Sequence, residues 1–477
     1  MRLGDGDGDR EVRKVHVMGV GGTAMSAITG LLREAGCEVR GSDASQPYPP
    51  MSTLLERLGI AVMHPYDPAN LAWGPDLVVV GNVIRRTNPE AIAAVEAGLP
   101  CLSMPQVLRA AFLEGRRPLV IAGTHGKTTT TSLLAHLLDA TGFDPGMMVG
   151  GIPLDFGSNY RLGSGAPFVV EGDEYDTAYF DKGPKFLHYA PQAAIVNNVE
   201  FDHADIFADL ERVVAVFASF AAIVPAGAPL VVPAEDANCL RAVADSPATR
   251  VTFGLAAGDW RPSGVVRTDG RVRFVLEHAG RPVGRFDSPL IGEHNLRNTV
   301  AALALVHETG LATPGLAHAL ASFKGVRKRQ EVRGTVRGVT VIDDFAHHPT
   351  AVRETLRAVR EAYPGARVVA LFEPESNTSR RRVFQDEFAV AFAAADEVLF
   401  YKPLEKPDNL RPEERIDMDR LCAAIEARGV PARMIPDIDA LAAAAADDAQ
   451  VGDVIVGMSG RDFLGVHGRV LGRLGRP

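Results

Sequence analysis

A glycine-rich loop between an apolar strand and a helix is the feature that most constrains this chain. Residues 119–122 (LVIA) predict a buried strand, GTHGKTT follows, and a helical pattern continues to about Asp139. Glycines let such a loop turn its backbone N–H groups toward an anion, and the helix N-terminus adds its positive dipole end. The sequence therefore predicts an α/β unit that binds the phosphates of a nucleotide.

This phosphate loop supplies the first candidate ATP-binding residues, which are Gly123, Thr124, His125, Gly126, Lys127, Thr128 and Thr129. Lys127 is expected to reach the terminal phosphates, and the Thr128 hydroxyl to bind Mg²⁺. The first glycine of the general GxxxxGK[ST] pattern would fall at Ile121, so this loop is a shorter variant. The alternative is a glycine turn with a solvated lysine, which the agreement of strand, loop and helix disfavours.

Polar residues follow two later strands of the same unit. One strand leads into EGDEYD, which begins at Glu171, and another leads into NVEFDHAD over residues 198–205. Ligands of α/β sheets collect at the carboxyl ends of the strands, so Glu171 is predicted to bind Mg²⁺. His203 is predicted to bind a second metal ion or to position the reacting group. A solvated acidic loop and a structural histidine are the alternatives; on the functional interpretation Lys127, Glu171 and His203 are the candidate catalytic residues.

A second glycine turn lies near the start of the chain, where GVGGTA follows a short apolar strand and precedes a helix. An aspartate stands about twenty residues on, which is typical of a dinucleotide site. The same geometry suits any diphosphate, including that of a UDP-sugar, and a cluster of packing glycines is a third interpretation. The candidate residues for a UDP-sugar are Gly19, Gly21, Gly22, Thr23, Asp43 and Asn82.

The order of strands and helices predicts three α/β domains with largely parallel sheets. We expect a disordered tail over residues 1–11 and domains over 12–113, 114–325 and 326–477. The stretch from about 250 to 290 shows alternation such as VRFVL, which predicts an antiparallel edge or insertion of the central domain.

Composition excludes several classes of protein. The net charge of -9 argues against a nucleic-acid binder, and no apolar stretch is long enough to span a bilayer. Four cysteines without CxxC spacing suit a reducing compartment and indicate no zinc site. We therefore expect a cytoplasmic protein that binds small molecules, without nucleic-acid or membrane partners, as a monomer or weak homodimer.

Taken in order, the motifs resemble those of the Mur ligase family of peptidoglycan synthesis. Besides the two glycine turns and the acidic segments, they include GEHNLRN at 292–298 and DDFAHHP at 343–349. The resemblance covers about residues 14–465. It implies an N-terminal Rossmann-like UDP-binding domain, a central P-loop ATPase-like α/β domain and a C-terminal Rossmann-like domain. It also implies ATP and Mg²⁺ as cofactors, with four further ATP-side residues: Asn295, Asn298, Arg329 and Asp344.

Four segments resemble the branch of the family that recycles a cell-wall tripeptide: YPPMSTLLE at 48–56, EGDEYD, NVEFDHADIF and EPESNT at 373–378. That resemblance implies ATP-dependent joining of UDP-N-acetylmuramate to L-alanyl-γ-D-glutamyl-meso-diaminopimelate through an acyl phosphate, with release of ADP and phosphate. The alternative is the branch that adds L-alanine. Carboxylates of the peptide suit guanidinium forks, so one or more of the arginines at 380–382 are predicted to clamp it. The alternative is a basic, solvated helix start. Together with two residues shortly before them, the candidate peptide-binding residues are Asn377, Thr378, Arg380 and Arg381.

The chain departs from the family pattern at one metal ligand. In several relatives a carbamylated lysine after the Asp-His pair bridges two metal ions. Here no lysine lies between Lys185 and Lys324. A second metal ion must therefore be held in another way.

Overall fold

A computed structural model describes residues 1–5, 8–202, 206–268, 270–403, 405 and 410–475. At the N-terminus, strands β1 (Arg2–Asp5) and β2 (Gly8–Glu11) form an antiparallel pair. Both strands lie within residues 1–11, for which the sequence predicted a disordered tail. His203, a predicted catalytic residue and metal ligand, lies outside the described residues.

The first sheet contains five parallel strands in the order β5-β4-β3-β6-β7. Its strands are β3 (Lys14–Met18), β4 (Glu38–Ser42), β5 (Val62–Met63), β6 (Leu77–Val80) and β7 (Cys101–Ser103). The accompanying helices are α1 (Thr23–Glu34), α2 (Met51–Arg57), α3 (Pro89–Glu96) and α4 (Met104–Leu108). The glycine turn joins β3 to α1, as the sequence predicts.

The central sheet has ten strands in the order β10-β9-β11-β8-β14-β15-β16-β17-β18-β19. They are β8 (Arg117–Ala122), β9 (Gly146–Met148), β10 (Tyr160–Arg161), β11 (Pro167–Glu171), β14 (Ala193–Val196), β15 (Pro229–Pro233), β16 (Thr249–Phe253), β17 (Trp260–Thr268), β18 (Arg271–His278) and β19 (Arg281–Ser288). A separate antiparallel pair comprises β12 (Asp176–Ala178) and β13 (Asp181–Pro184).

The predicted antiparallel edge is confirmed for β17, β18 and β19, whereas β16 still runs parallel to β15. The helices of this region are α5 (Lys127–Ala140), α6 (Leu210–Ala222), α7 (Ala237–Ala242), α8 (Glu293–Glu308) and α9 (Leu316–Ser322). Apolar side chains of α5 and α8, such as Leu133, Leu137 and Val300, share one core with the sheet. This packing fixes the helix that begins at the phosphate loop.

The third sheet has six strands in the order β20-β21-β25-β22-β23-β24, and only β20 is antiparallel to its neighbour. Its strands are β20 (Glu331–Val336), β21 (Val339–Asp344), β22 (Val368–Phe372), β23 (Glu397–Phe400), β24 (Ala432–Met434) and β25 (Val454–Met458). The helices are α10 (Pro349–Ala362), α11 (Gln385–Ala391), α12 (Met418–Glu426), α13 (Ile438–Ala446) and α14 (Val466–Leu474).

The three sheets confirm the predicted three-domain α/β architecture. The inner parallel strands of the central region, β8, β11, β14 and β15, contain runs of Val, Ile or Leu and are largely buried, as helix-covered sheets require. Within the described part of the chain, none of the helices has both the length and the apolar character needed to cross a bilayer.

Candidate active site

The phosphate loop lies between β8 and α5, at the centre of the ten-stranded sheet. Gly123 and Gly126 have φ angles of +132° and +79°, which favour glycine over residues with a side chain. A Cβ atom at Gly123 would lie 2.9 Å from the backbone nitrogen of Asn197, and one at Gly126 would lie 2.6 Å from Asn298 Oδ1. Both glycines are therefore required by backbone conformation and by close neighbours.

Lys127, the first residue of α5, is held inside the loop. Its Nζ donates to the carbonyl oxygen of Gly123 at 2.6 Å and to Glu174 Oε2 at 2.9 Å. Burial alone would lower the pKa of Lys127, but the carboxylates of Glu174 and Asp173 outweigh burial and raise it. The ammonium group therefore carries its charge at the position where terminal phosphates are expected. Sequence reasoning missed Glu174, although it lies in the EGDEYD segment.

Glu171 ends β11, the neighbour of β8, and its carboxylate faces the first turn of α5. The Thr128 hydroxyl donates to Glu171 Oε1 at 3.1 Å, and the Gly150 N–H donates to Oε2 at 2.6 Å. Burial raises the pKa of Glu171, because a buried carboxylate is poorly solvated in its charged form. Arg329 Nη2 donates to the Thr128 hydroxyl oxygen at 3.3 Å. The Thr128 hydroxyl and the Glu171 carboxylate thus lie side by side next to the loop. Oxygen ligands of this kind suit Mg²⁺.

The segment after β14 borders the loop on its other side. Asn198 Oδ1 accepts from the backbone N–H of His125 at 2.7 Å, and His125 Nε2 lies 3.2 Å from Glu200 Oε2. Burial opposes ionisation of Glu200, but the bond to His125 prevails and lowers the pKa of Glu200 to about 2. Asp202 is buried and accepts a hydrogen bond from the Thr378 hydroxyl at 2.7 Å.

The predicted ATP-side residues from α8 and β21 lie on the same cleft. Asn298 Nδ2 donates to Asn295 Oδ1 at 3.2 Å, and Asn295 Nδ2 donates to Gln330 Oε1 at 3.1 Å. Asp344 Oδ2 accepts from the backbone N–H of Gln330 at 2.7 Å. The Arg329 guanidinium lies 4.7 Å from the centroid of the Phe345 ring. Gln330, which the sequence did not indicate, therefore connects the asparagines of α8 to Asp344 of β21.

These residues line one open cleft of about 910 Å³ between the three domains. The first domain contributes Thr23, and the third contributes His348, Glu375 and Ser376. All seven residues of the phosphate loop except Gly123 line the cleft, together with Glu171, Asn295, Asn298, Arg329 and Asp344. The structure therefore brings most of the predicted ATP-side residues together in a space large enough for several small ligands.

The N-terminal glycine turn is organised by Asp43. Its Oδ2 accepts from the Gly21 N–H at 2.8 Å, and a Cβ atom at Gly21 would lie 2.9 Å from that oxygen. Gly19 has a φ of +78°, Gly22 precedes α1, and Asn82 is exposed in the loop after β6. The backbone N–H groups of residues 19–22 are bonded within this domain, so N–H groups for an anion would come from the first turn of the twelve-residue helix α1.

The predicted peptide-binding residues are not all exposed. Asn377 is exposed and Arg381 is half-buried, whereas Thr378 and Arg380 are 2% exposed. The Thr378 hydroxyl bonds to Asp202, and the loop reaches the cleft through Glu375 and Ser376 instead. The spacing of the sequence did not indicate this difference, because it depends on how the loop after β22 folds back.

Family models cover the three domains in order. Residues 14–115 match the Mur ligase family catalytic domain, residues 121–306 the Mur ligase middle domain, and residues 328–461 the Mur ligase glutamate ligase domain. No part of the phosphate loop, the acidic segments or the DDFAHHP stretch falls outside these matches.

Full-length relatives agree with the family models. The UDP-N-acetylmuramate–L-alanyl-γ-D-glutamyl-meso-2,6-diaminoheptandioate ligase of Escherichia coli K12 is 39% identical over 464 residues, which cover 97% of this chain and 98% of that protein. A UDP-N-acetylmuramate–L-alanine ligase of Kineococcus radiotolerans is 38% identical over 492 residues, 98% of each chain. The crystal structure of a murein peptide ligase from Psychrobacter arcticus superposes with a TM-score of 0.73 at 32% identity, covering 98% of this chain and 99% of that one. The chain belongs to the Mur ligase family.

Proposed function

We propose that this protein uses ATP to join the carboxylate of UDP-N-acetylmuramate to the amino group of L-alanyl-γ-D-glutamyl-meso-diaminopimelate. The observation that supports this most is the phosphate loop with Lys127, Thr128 and Glu171 in a cleft shared by three domains. The acceptor is proposed from the Escherichia coli relative and the Psychrobacter arcticus structure, whose names specify that peptide or murein peptide.

The first step activates the sugar carboxylate. Hydroxide is a poor leaving group, so a carboxylate oxygen attacks the γ-phosphorus of ATP, ADP departs, and an acyl phosphate forms. Lys127 is placed to spread the negative charge of the transferred group, a mainly electrostatic contribution. Thr128 and Glu171 would hold Mg²⁺, which when bound neutralises phosphate charge. His203 is proposed as the further metal or substrate ligand.

The remaining ATP contacts are proposed on the far side of the cleft. Asn295 and Asn298 face the loop from α8, and Arg329 reaches Thr128 from the start of the third domain. Asp344 fixes the backbone beside Arg329 through its bond to Gln330. The nucleotide would therefore lie between the second and third domains and draw them together.

The second step forms the amide. The amine attacks the carbonyl carbon of the acyl phosphate, the carbonyl electrons move to oxygen, and collapse of the tetrahedral species expels phosphate. The amine loses a proton in the process. Closure of three domains around the cleft would exclude water, which otherwise hydrolyses the acyl phosphate. The UDP portion is proposed to lie on the turn at Gly19–Thr23, with Asp43 and Asn82 beside it.

An assay of ADP release with product mass spectrometry tests this proposal. Purified protein receives ATP, Mg²⁺ and UDP-N-acetylmuramate, with either the tripeptide or L-alanine as acceptor. We expect UDP-N-acetylmuramoyl-tripeptide and stoichiometric ADP with the peptide, and little product with L-alanine. A preference for L-alanine would replace the proposed acceptor, and the absence of any amide with either would reject the function.

L-alanine ligation is the second candidate. The Kineococcus radiotolerans relative is nearly as similar, at 38% identity over 98% of the chain, and its name specifies L-alanine. Overall identity therefore separates the two acceptors poorly. The segments EGDEYD, NVEFDHADIF and EPESNT, which resemble the tripeptide branch, favour the peptide.

A further inference from the structure

His348 occupies the boundary between the third sheet and the cleft. It is the N-cap residue of α10, a fourteen-residue helix, and its Nδ1 accepts a hydrogen bond from the backbone N–H of Thr350 at 3.3 Å. A neutral imidazole that accepts through Nδ1 must carry its proton on Nε2. The cap therefore fixes the tautomer of the ring and leaves Nε2–H as a hydrogen-bond donor.

That donor has no partner among the described residues, although the side chain is only 6% exposed. Buried N–H groups are nearly always paired in folded proteins, so an unpaired one that lines a cleft points to a ligand. The ring faces the phosphate loop, with its centroid 4.8 Å from that of His125. Burial, followed by the proximity of His125, lowers the pKa of His348 to about 4, so the ring is neutral at pH 7.

We propose that His348 is a catalytic residue that donates its Nε2–H to the carbonyl oxygen of the acyl phosphate as that oxygen becomes an anion. This inference rests on the proposed ligase function. A helix N-terminus that holds a neutral histidine as a donor lowers the basicity of the ring and keeps the proton on Nε2, which is the arrangement used in triosephosphate isomerase.

The chemistry assigns the donor to the second step. When the amine attacks, the C–N bond forms and the C=O electron pair moves to oxygen; His348 stabilises that oxygen without giving up its proton. The pair then returns, the bond to phosphate breaks, and the amine proton leaves to solvent. In the first step the same oxygen belongs to the attacking carboxylate, where a donor would weaken the nucleophile. Donation is therefore useful only after phosphoryl transfer.

A metal ion is the competing occupant. Ligand atoms of His125, Glu200 and His348 all lie within 4.8 Å of one another, a group that could hold a cation. Coordination of a metal ion through Nε2 would require the proton to move to Nδ1. Nδ1–H and the Thr350 N–H would then be two donors facing each other, and the cap hydrogen bond would be lost. The cap bond thus favours a donor over a metal ligand at His348.

Two substitutions separate the cap from the donor. Asparagine places an acceptor near the position of Nδ1 and is a good N-cap residue, but it does not reach the position of Nε2. Glutamine places an N–H donor near the position of Nε2. We expect His348→Asn to keep the wild-type melting temperature and to lower the rate of amide formation about 100-fold to 1000-fold, as loss of an oxyanion donor does. We expect His348→Gln to form the amide at least tenfold faster than His348→Asn does.

Rapid-quench measurements locate the step. Without acceptor, the burst of ADP from wild type and His348→Asn should be equal; with acceptor, only amide formation should slow. Three results would overturn the assignment. The rate of amide formation could fall equally in His348→Asn and His348→Gln, or the ADP burst of His348→Asn could be slower than that of wild type. The third is tight binding of Zn²⁺ by wild type that His348→Asn abolishes. If wild type itself makes no amide, the proposed function fails; if wild type is active and His348→Asn equals it, only this inference fails.

Discussion

Lys127 and Glu174 form a buried ion pair at the position where the terminal phosphates of ATP are expected. The side chains are 13% and 3% exposed, so neither charge is well solvated. A phosphate group that binds here must replace the carboxylate as the main partner of the ammonium. Glu174 therefore keeps the loop lysine ordered and charged before the nucleotide arrives.

Replacing Lys127 with methionine tests this pair. Loss of one partner leaves a buried carboxylate without its nearest cation, so the free energy of unfolding should fall by about 3 kcal/mol in urea titrations. ADP release should fall at least about 100-fold, because transition-state charge loses its main protein cation. In Lys127→Met/Glu174→Gln the stability should return while ADP release stays low. Recovery of both together would contradict a catalytic role for the lysine.

Because the Asp343 carboxyl is buried, we expect the free energy of unfolding to depend on pH. Burial raises the pKa of this carboxyl to about 6, despite opposing effects of Lys328 and Arg333. His467 lies 3.5 Å away, and its pKa is lowered to about 4 by burial, so it is uncharged between pH 5 and 8. A raised carboxyl pKa gives stability that is present at low pH and lost as the pH rises through 6.

Asp343→Asn should therefore stabilise the protein more at pH 8 than at pH 5, with a difference of about 1–2 kcal/mol, because stability is lost between the unfolded pKa near 4 and the folded pKa of about 6. Urea unfolding at the two pH values measures the difference. Asp343→Asn keeps the size of the side chain and removes only its charge, so packing should be unaltered. A stabilisation that is the same at both pH values would show that burial of the charge is not the cause.

At the residue scale, the sequence predicted Lys127, Thr128 and Glu171 as site residues because each occupies a fixed position relative to a strand end, and all three line the cleft. It missed Glu174 and Gln330, whose partners lie 47 and 35 residues away in sequence. Such pairings depend on the order of neighbouring strands and on the packing of the third domain. Local sequence patterns predict neither the strand order nor the packing.

Among the elements, helix α1 of the first domain packs against strand β10 of the central domain. A Cβ atom at Gly30 would lie 2.2 Å from the Tyr160 ring, and both residues are buried. The helix needs a residue without a side chain at this point. The conformation of Gly30 is helical, so the requirement comes from packing alone.

Gly30→Ala should lower the free energy of unfolding by about 1–3 kcal/mol, because the added methyl group overlaps the ring. In a Tyr160→Ala background the same change should stabilise the protein by about 1 kcal/mol, since alanine is the better helix former. Urea titration of the four proteins gives both values. If Gly30→Ala has the same sign in both backgrounds, the contact with Tyr160 is not what selects glycine.

The alternation of apolar runs and glycine turns predicted most strands and helices of all three domains. The pairing of β1 with β2 was not predicted, because the sequence of residues 2–11 is polar and lacks the usual alternation of a strand. The strand order β11-β8-β14, which places Glu171 and the Asn197–Asp202 segment on either side of the loop, follows from chain crossovers that the sequence does not display.

On the scale of the whole molecule, contacts between the central and third domains lie beside the cleft. The Thr378 hydroxyl donates to Asp202, the Phe201 and Phe384 rings stack with centroids 6.1 Å apart, and Arg329 reaches Thr128. All of these contacts border the proposed site of reaction. Closure and catalysis are therefore expected to be coupled.

Thr378→Val removes the bond to Asp202 and should lower kcat about tenfold, because hydrogen bonds to charged groups contribute about 1.5–3 kcal/mol. Thr378→Ser keeps the hydroxyl and should remain near wild type. Steady-state kinetics with each substrate varied in turn separates two explanations. A lower kcat supports a role in closure, whereas a higher KM for the peptide alone would assign Thr378 to peptide binding instead.

The three-domain arrangement was predictable from the order of motifs, because a strand–helix alternation begins at each of the two glycine turns and again at the strand that leads into DDFAHHP. The sequence did not predict which polar residues of the third domain line the cleft. Thr378 and Arg380, predicted to face the peptide, are buried, and Glu375 and Ser376 reach the cleft. The fold of the loop after β22 decides which side of this polar run is exposed.

The formation of an acyl phosphate in the cleft is tested most directly by isotope transfer. UDP-N-acetylmuramate labelled with ¹⁸O in its carboxylate is converted with ATP and acceptor, and the released phosphate is analysed by mass spectrometry. Attack of the carboxylate on the γ-phosphorus predicts one labelled oxygen in each phosphate molecule formed with the amide. Amide formation accompanied by unlabelled phosphate would contradict activation by phosphoryl transfer.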